Sequence, residues 1–198
     1  MSAPIILASG SKVRATLMRA AGLDFVAISP PVDEEELKVG LRDQGLTSLQ
    51  QAAALAEAKC LSVAKTNRGF VIGADQILAF EGAAMDKAAD LKEARDRLWA
   101  MRGKEHQLQS GVVIAKDGEP IWRSTAIARL WMYDFSADYL DDYLARCGEA
   151  ALSSVGCYQL ENEGVRLFSR IEGDYFSILG LPLFEVLGAL REHGAIAR

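Results

Sequence analysis

Asp75 is the first residue whose surroundings point to chemistry. It lies at the centre of Phe70–Phe80, the most apolar stretch of the chain. Burying an unpaired carboxylate there would cost on the order of several kcal/mol, so Asp75 must meet a cation, a metal ion or a water-filled cleft. Gly73 and Ala74 stand just before it and leave room for another group to approach. The alternative is an aspartate at a strand kink or bulge that faces solvent.

A second candidate is Ser9–Ser11, which follows a short apolar run and precedes a helical pattern with Lys12 and Arg14 in its first turn. The free N–H groups and the dipole of a helix N-terminus attract anions, whereas cations there are unfavourable by roughly 0.3–1 kcal/mol each. A bound phosphate would reverse that penalty. The alternative is that Ser11 is an ordinary N-cap and that both basic side chains extend into solvent.

Two lysines complete the set of candidate cations. Lys59 lies close to the apolar face of a long helical pattern, and Lys87 follows the end of a predicted strand. A single lysine is usually a solvated surface residue, so these lysines and Arg14 matter only if the fold brings them together. Glycine-containing segments at 153–161, 172–175 and 179–182 are either tight turns or a loop that closes over a ligand.

The hydrophobic periodicity predicts strands and helices that would carry these residues. Strands are predicted at Pro4–Ala8, Phe25–Ile28, Phe70–Phe80, His106–Ala115, Ile121–Met132 and Val165–Ile171. Helices are predicted at Lys12–Ala21, from a Thr47–Gln50 capping box to Lys65, from Asp90 to Gly103, from Ser136 to Arg146, and from Pro182 as first helical residue. Asp117-Gly118 between two strands is a strong hairpin signal. This order predicts an α/β or α+β fold with a mixed sheet.

The composition is that of a globular protein. The chain has 198 residues, of which 50% are hydrophobic and 25% charged, and a net charge of -5 gives no reason to expect nucleic acid as a partner. The three cysteines, Cys60, Cys147 and Cys157, form no CxxC pair, which argues against a disulfide scaffold or a zinc site. The start of the chain does not have the pattern of a signal peptide, and no stretch approaches the ~20 apolar residues of a membrane span. We therefore expect a cytoplasmic protein without a membrane partner.

The chain has only two histidines, His106 and His193. His106 stands among polar residues and is interpreted as a surface residue of a strand, and His193 as a residue at a helix C-terminus, where the dipole favours a cation. A Ser-His-Asp or Cys-His nucleophile therefore has little support.

In this order, the motifs resemble those of the Maf family of nucleotide pyrophosphatases over nearly the whole chain. The resemblance is carried by LASGS-x-x-R at the start, the acidic pair Asp33-Glu34, LAEAK, VIGADQ and the closing GDYFSILGLPL. Lys87 stands where the family has a Gly-Lys-Pro lysine, although Asp86 and Ala88 flank it here.

The resemblance implies a single domain over residues 1–198, with a mixed, elongated twisted sheet, flanking helices and two lobes around a central cleft. It implies hydrolysis of the α–β phosphoanhydride of nucleoside triphosphates to a monophosphate and pyrophosphate. Asp75 would be the proton acceptor, Asp33, Glu34 and Asp75 would hold a divalent metal cation (Mg²⁺, with Mn²⁺ or Co²⁺ as alternatives), and the triphosphate would bind to the following residues: Ser9, Ser11, Arg14, Lys59 and Lys87.

Three positions separate subgroups of the family by base preference and fall on Val13, Gln76 and Glu161. Gln76 and Glu161 resemble the subgroup that acts on 7-methyl-GTP, and a carboxylate at Glu161 could accept the N1–H and 2-amino donors of guanine. Three alternatives stay open: a dTTP- or UTP-specific pyrophosphatase, a phosphatase releasing inorganic phosphate directly, and a non-catalytic nucleotide-binding regulator of septum formation and cell division. The resemblance also implies a homodimer, because many members of the family form dimers.

Overall fold

The computed structural model describes residues 3–197 of the chain. Within them, seven strands lie at β1 Ile5–Ala8, β2 Val26–Ile28, β3 Phe70–Phe80, β4 Ala83–Met85, β5 Glu105–Lys116, β6 Glu119–Met132 and β7 Phe168–Glu172. Seven α-helices lie at α1 Lys12–Ala20, α2 Glu34–Asp43, α3 Ser48–Ala64, α4 Leu91–Met101, α5 Ala137–Cys147, α6 Tyr175–Ile178 and α7 Leu183–Glu192. Two short 3-10 helices lie at Gly148–Ser153 and Glu163–Leu167.

The strands form one mixed sheet in the order β2-β1-β3-β5-β6-β7, with β4 paired to β3. β1 runs parallel to β2 and to β3, whereas β4 is antiparallel to β3 and β7 is antiparallel to β6. Asp117 and Gly118 join β5 to β6 with φ angles of 51° and 100°, the signs that a type I′ hairpin turn requires. The predicted hairpin and the predicted mixed α/β fold are confirmed.

The described chain separates into two compact units. The first consists of the residues up to Gln76, Gln109–Ala126 and those from Asp174 on, and the second consists of Ile77–Leu108 and Ile127–Gly173. The expectation of a single domain over residues 1–198 stays a prediction. No helix within residues 3–197 combines the length and the apolar character that crossing a bilayer requires.

The first unit packs helices on both faces of the parallel strands. One apolar cluster joins Phe70, Ile72 and Ala74 of β3 to α1 and α7, and a second joins Val71 to α3. Successive strand residues therefore point to opposite faces, as the pleat requires. Because α1 connects β1 to β2 on one face and α3 leads into β3 on the other, the connections diverge at the carboxyl end of β1. Open α/β sheets bind ligands at such a point.

Gly73 allows α3 to lie directly on β3. A Cβ atom at this position would be 2.5 Å from the carbonyl oxygen of Ala56 and 2.6 Å from Cys60. Only a residue without a side chain permits this approach. Since Asp75 follows two residues later, its side chain points to the same face, towards α3.

The polar sequence around His106 led to a wrong prediction. His106 is buried in β5, and its Nε2 atom lies 2.7 Å from the hydroxyl of Tyr158, beside the ring of Phe168. Residues far along the chain cover this face of the strand, which local polarity cannot reveal. Burial lowers the pKa of His106 to about 4, so its imidazole is neutral at physiological pH. His193, by contrast, is the C-cap of α7, as predicted.

Three further element predictions are corrected. The predicted strand Val165–Ile171 begins only at Phe168, because the residues before it form a 3-10 helix. Pro182, predicted as the first helical residue, is instead the N-cap of α7, which begins one position later at Leu183. The acidic run after Asp33, to which the sequence analysis assigns no helix, forms the first turn of α2. The side chain of Asp33 accepts the N–H of Glu36 at 3.0 Å, and glutamates in a first turn complement the helix dipole.

Candidate active site

Asp75 forms an ion pair with Lys59 in the interior of the first unit. Oδ1 of Asp75 lies 2.5 Å from Nζ of Lys59, and the side chains are 10% and 7% exposed. The same ammonium lies 2.8 Å from Oε2 of Glu34, whose side chain is 44% exposed. Asp75 therefore meets a cation, and the alternative of a solvent-facing aspartate is wrong. Two of the three Lys59 donors face carboxylates, so the third remains for a substrate oxygen.

Three elements bring these groups together. Lys59 is one helical turn beyond Ala56 on α3, at the point where Gly73 admits the helix backbone to the sheet. Asp75 lies on β3 two residues past Gly73, and Glu34 is the first residue of α2. A polar N-cap, a long helix and a glycine in a strand therefore place two carboxylates around the ammonium of Lys59.

Arg14 lies beside these charges and is held by neutral oxygens. Its Nε donates to the carbonyl oxygen of Gly180 at 2.7 Å, and its Nη1 donates to the carbonyl of Ala74 at 2.8 Å and to Oγ of Ser9 at 3.2 Å. Burial lowers the pKa of Arg14, while the charges of Asp75 and Glu34 act in the opposite direction. The guanidinium is thus oriented without a direct carboxylate partner among these contacts, and its charge can act on an anion. The alternative of a solvated Arg14 is wrong.

The loop after β1 has the features of an anion site at a helix N-terminus. Ser11 is the N-cap of α1 and accepts the N–H of Arg14 at 3.3 Å, while Oγ of Ser9 accepts the N–H of Ser11 at 3.2 Å. The first turn carries no acidic residue. Ser9 is buried and Lys12 is exposed. Ser11 is therefore a normal N-cap, and it stands next to an oriented cation.

Gln76 lies on the opposite face of β3 from Asp75 and binds the segment around α6. Its Nε2 donates to the carbonyls of Ser177 at 2.8 Å and Ile178 at 3.2 Å, and to Oγ of Ser110 at 3.1 Å. These bonds use the amide hydrogens, so the amide oxygen is the polar atom that remains for a ligand. The same segment continues to Gly180, whose carbonyl holds Arg14.

The carboxylates that the resemblance assigns to a metal are only partly together. Glu34 and Asp75 share Lys59, whereas the side chain of Asp33 caps α2 and is exposed. No group of three or more His, Cys, Asp or Glu side chains within residues 3–197 could hold a metal ion. Mg²⁺ commonly uses one or two carboxylates together with waters and substrate phosphates. The pair Glu34 and Asp75 fits an ion that arrives with a triphosphate.

The remaining predicted site residues are placed as follows. Val13 is partly buried in the first turn of α1, next to Arg14. Lys87 and Glu161 belong to the second unit, and both side chains are exposed there. Their roles stay predictions. The sequence analysis also missed Gly180, Ser110 and Ser177, which support Arg14 and Gln76. Nothing local marks Ser110, whereas Ser177 and Gly180 lie in the closing GDYFSILGLPL motif, to whose single residues the sequence analysis assigned no role.

An α/β unit with an oriented arginine at the N-terminus of α1 and a buried lysine between two carboxylates has the arrangement of a protein that binds phosphorylated ligands. A family model described as Maf-like protein matches residues 4–193. The chain is 52% identical over 193 residues, 98% of this chain and 97% of the relative, to a protein of Caulobacter vibrioides named nucleoside triphosphate pyrophosphatase. It is 43% identical over 197 residues, 99% of each chain, to a 7-methyl-GTP pyrophosphatase of Brucella suis. A 7-methyl-GTP pyrophosphatase of Mesorhizobium japonicum is 44% identical over 197 residues, 99% of each chain. The chain belongs to the Maf family.

Proposed function

We propose that this protein is a nucleoside triphosphate pyrophosphatase that converts a nucleoside triphosphate and water to a monophosphate and pyrophosphate. The observation that carries the proposal is the buried Asp75–Lys59 pair with Arg14 beside it. A protein that only binds nucleotides has no need of a carboxylate in the middle of its most apolar strand. The names of relatives at 43–52% identity over nearly the full chain support the same reaction.

In this mechanism, the chain first orients the triphosphate. Arg14 and the third donor of Lys59 bind phosphate oxygens, and the N-terminus of α1 with Ser9 and Ser11 adds N–H and hydroxyl donors. Lys87 is proposed as a further phosphate ligand on the family resemblance. Arg14 and Lys59 are held before substrate arrives, so they stabilise charge that builds on the phosphate oxygens at little reorganisation cost.

Asp75 then acts as the proton acceptor. Its Oδ1 is bound to Lys59, which leaves Oδ2 to accept a proton from the attacking water. The water oxygen bonds to the α-phosphorus, the bond from that phosphorus to the oxygen bridging to the β-phosphorus breaks, and pyrophosphate leaves with that bridging oxygen. Lys59 keeps the carboxylate in place during the proton transfer.

A divalent cation is part of the proposal because the charges of the site are already matched. The two positive charges of Arg14 and Lys59 are balanced by the two negative charges of Glu34 and Asp75. These four residues therefore offer no excess positive charge to a triphosphate. Glu34 and Asp75 would hold the ion, with Asp33 proposed as a third ligand on the family resemblance. When bound, the ion would neutralise phosphate charge and polarise the phosphoryl group.

The proposed substrate is 7-methyl-GTP. Gln76 and Glu161 match that subgroup, and a carboxylate near a cationic methylated base is favourable. Val13 is the third specificity position. The runner-up is a dTTP- or UTP-specific pyrophosphatase. We also propose a cytoplasmic location and a homodimer, the latter testable by light scattering of the purified protein.

The proposal is tested by incubating the purified protein with 7-methyl-GTP, GTP, UTP, CTP and dTTP under Mg²⁺, Mn²⁺ or Co²⁺. Phosphate is measured with and without added inorganic pyrophosphatase, and EDTA serves as the metal-free control. We expect release only with the coupling enzyme and a metal, fastest with 7-methyl-GTP. Release without the coupling enzyme would indicate an ordinary phosphatase, and no release from any nucleotide would favour the non-catalytic regulator.

A further inference from the structure

Arg97 is a buried arginine of the second unit that the proposed reaction does not use. It lies on α4, its side chain is 4% exposed, and it forms an ion pair with Glu93 at 2.8 Å one helical turn earlier. Its Nη1 donates to the carbonyl oxygens of Asp86 and of Val155, the latter at 2.7 Å. Charged side chains are rarely buried to this degree unless they are paired and hydrogen-bonded. Arg97 therefore joins two segments that are far apart in sequence.

The contacts around Arg97 fix the backbone on both sides of Lys87. Arg97 holds the carbonyl of Asp86, the residue just before Lys87. Glu93, its ion-pair partner, accepts the N–H of Ala89 through Oε2 at 2.9 Å. The Lys87 side chain is exposed, whereas the backbone before and after it is held by hydrogen bonds at Asp86 and Ala89. This arrangement suits a cation that must be presented in a fixed position.

The segment at Val155 shares the same support. The Cys157 thiol is buried against the main chain of Ala88, and burial raises its pKa while Arg97 and that main chain act in the opposite direction. Arg97 thus links the segment of Lys87 to the segment that leads to Glu161, within one unit. The resemblance assigns both residues to the substrate.

We propose that Arg97, held by Glu93, is a positioning residue that fixes Lys87 for contact with a triphosphate. This inference rests on the proposed function, since it gives Lys87 a substrate. It assigns no contact with substrate to Arg97 itself, which acts only through the backbone of residues 86–89.

The test is a double-mutant cycle of Arg97→Met and Lys87→Ala, measured as kcat and KM for pyrophosphate release from 7-methyl-GTP. We expect Arg97→Met to lower kcat/KM about tenfold, since displacement of a binding group by a fraction of an ångström is costly. In the Lys87→Ala background the same substitution should change kcat/KM by less than about twofold, because the positioned group is already absent. Arg97→Lys should restore little, because an ammonium cannot hold two carbonyls and a carboxylate with a planar fork.

Arg95→Met is the matched control. Arg95 lies on the same helix, is more exposed, and pairs with Asp141 at 2.5 Å. Its replacement should leave kcat/KM unchanged. If Arg97→Met does not fold, Glu93→Gln takes its place in the cycle with the same expectations and a smaller effect. Equal losses in the two backgrounds, or unchanged kinetics in a folded Arg97→Met variant, would overturn the positioning role.

Hydrogen exchange separates this inference from the proposed function. The amides of residues 87–89 should exchange faster in Arg97→Met than in the wild type or in Arg95→Met, whether or not the protein is active. Faster exchange in Arg97→Met, together with a wild type that has no pyrophosphatase activity, would end the proposed function but keep the support of this segment. Unchanged exchange would end the inference even if the enzyme is active.

Discussion

At the scale of single residues, Lys59 is the group on which the site depends. One buried ammonium contacts the carboxylates of Asp75 and Glu34. A buried ion pair gains little net stability, because desolvation opposes the attraction, but removal of one partner leaves a charge without compensation. Removal of Lys59 would leave the Asp75 carboxylate without an ion-pair partner among these contacts. Removal of Asp75 would still leave Lys59 paired with Glu34.

Lys59→Met should therefore destabilise the protein strongly. We expect a free energy of unfolding about 3 kcal/mol below that of the wild type, measured by urea denaturation at pH 7.5. Lys104→Met is the control, because Lys104 pairs with Glu81 at the same 2.8 Å that separates Lys59 from Glu34, but with side chains 52% and 63% exposed. Its loss should stay below about 1 kcal/mol. A similar decrease in the free energy of unfolding in the two variants would show that burial of the Lys59 ion pair contributes little to stability.

At the scale of elements, the segment from Asp174 to Gly180 supports two site residues at once. Oδ2 of Asp174 accepts the N–H and the hydroxyl of Ser177, each at 2.8 Å, and the carbonyl of Ser177 accepts from Gln76. Gly180 follows two residues after the last residue of α6, and its carbonyl orients Arg14. A change in this segment should therefore affect Arg14 and Gln76 although the segment itself carries no candidate catalytic group.

Gly180→Ala tests this support. The glycine has a φ of +93°, and a Cβ atom would lie 3.3 Å from Nε of Arg14, so an alanine strains the backbone and displaces the guanidinium. We expect KM for the triphosphate to rise about tenfold, because Arg14 would be misplaced for phosphate binding. Gly188→Ala, in α7 with open space around it, should leave KM unchanged. Equal kinetics of Gly180→Ala and the wild type would argue against a role of Gly180 in holding Arg14.

The elements themselves could largely be predicted from the sequence, because hydrophobic periodicity and caps are local. The strand around Asp75, the capping box at Thr47 and the Asp117-Gly118 hairpin all follow from neighbouring residues. The partnership of Lys59 with Asp75 could be expected only in general terms, since a buried carboxylate needs some cation. Long-range packing decided the rest: His106 is covered by Tyr158, and Arg97 is buried against Asp86 and Val155. Asp33 shows a different limit: the resemblance assigns it to a metal, a role that stays a prediction, whereas its place as the N-cap of a helix was not recognised.

At the scale of the whole molecule, His106 links stability to pH. Its pKa of about 4 in the folded protein lies below the value of 6.5 expected in the unfolded chain. The unfolded state therefore binds more protons between these values, so the contribution of His106 is complete above pH 6.5 and is lost as the pH falls towards 4. At pH 5, this loss should lower the free energy of unfolding by about 2 kcal/mol relative to pH 7.5.

His106→Gln should remove that part of the pH dependence, because glutamine has no titrating group and can still bond to the hydroxyl of Tyr158. Urea denaturation of the variant and the wild type at pH 7.5 and pH 5 gives the comparison. His193→Gln is the control, because His193 lies at the C-cap of α7 and is only partly buried. If the free energy of unfolding falls as much between pH 7.5 and pH 5 in His106→Gln as in the wild type, the account of a buried neutral imidazole is contradicted.

Pyrophosphate release by Asp75→Asn tests the central claim most directly. The substitution keeps the shape of the side chain and leaves Lys59 paired with Glu34, so the variant should still unfold cooperatively. We expect kcat for the best substrate to fall by a factor of about 10² to 10⁴, because an amide cannot accept the proton of the attacking water. Asp134→Asn, an exposed aspartate of the second unit, should retain full activity. A folded Asp75→Asn variant with near wild-type kcat would contradict the role of Asp75 as the proton acceptor.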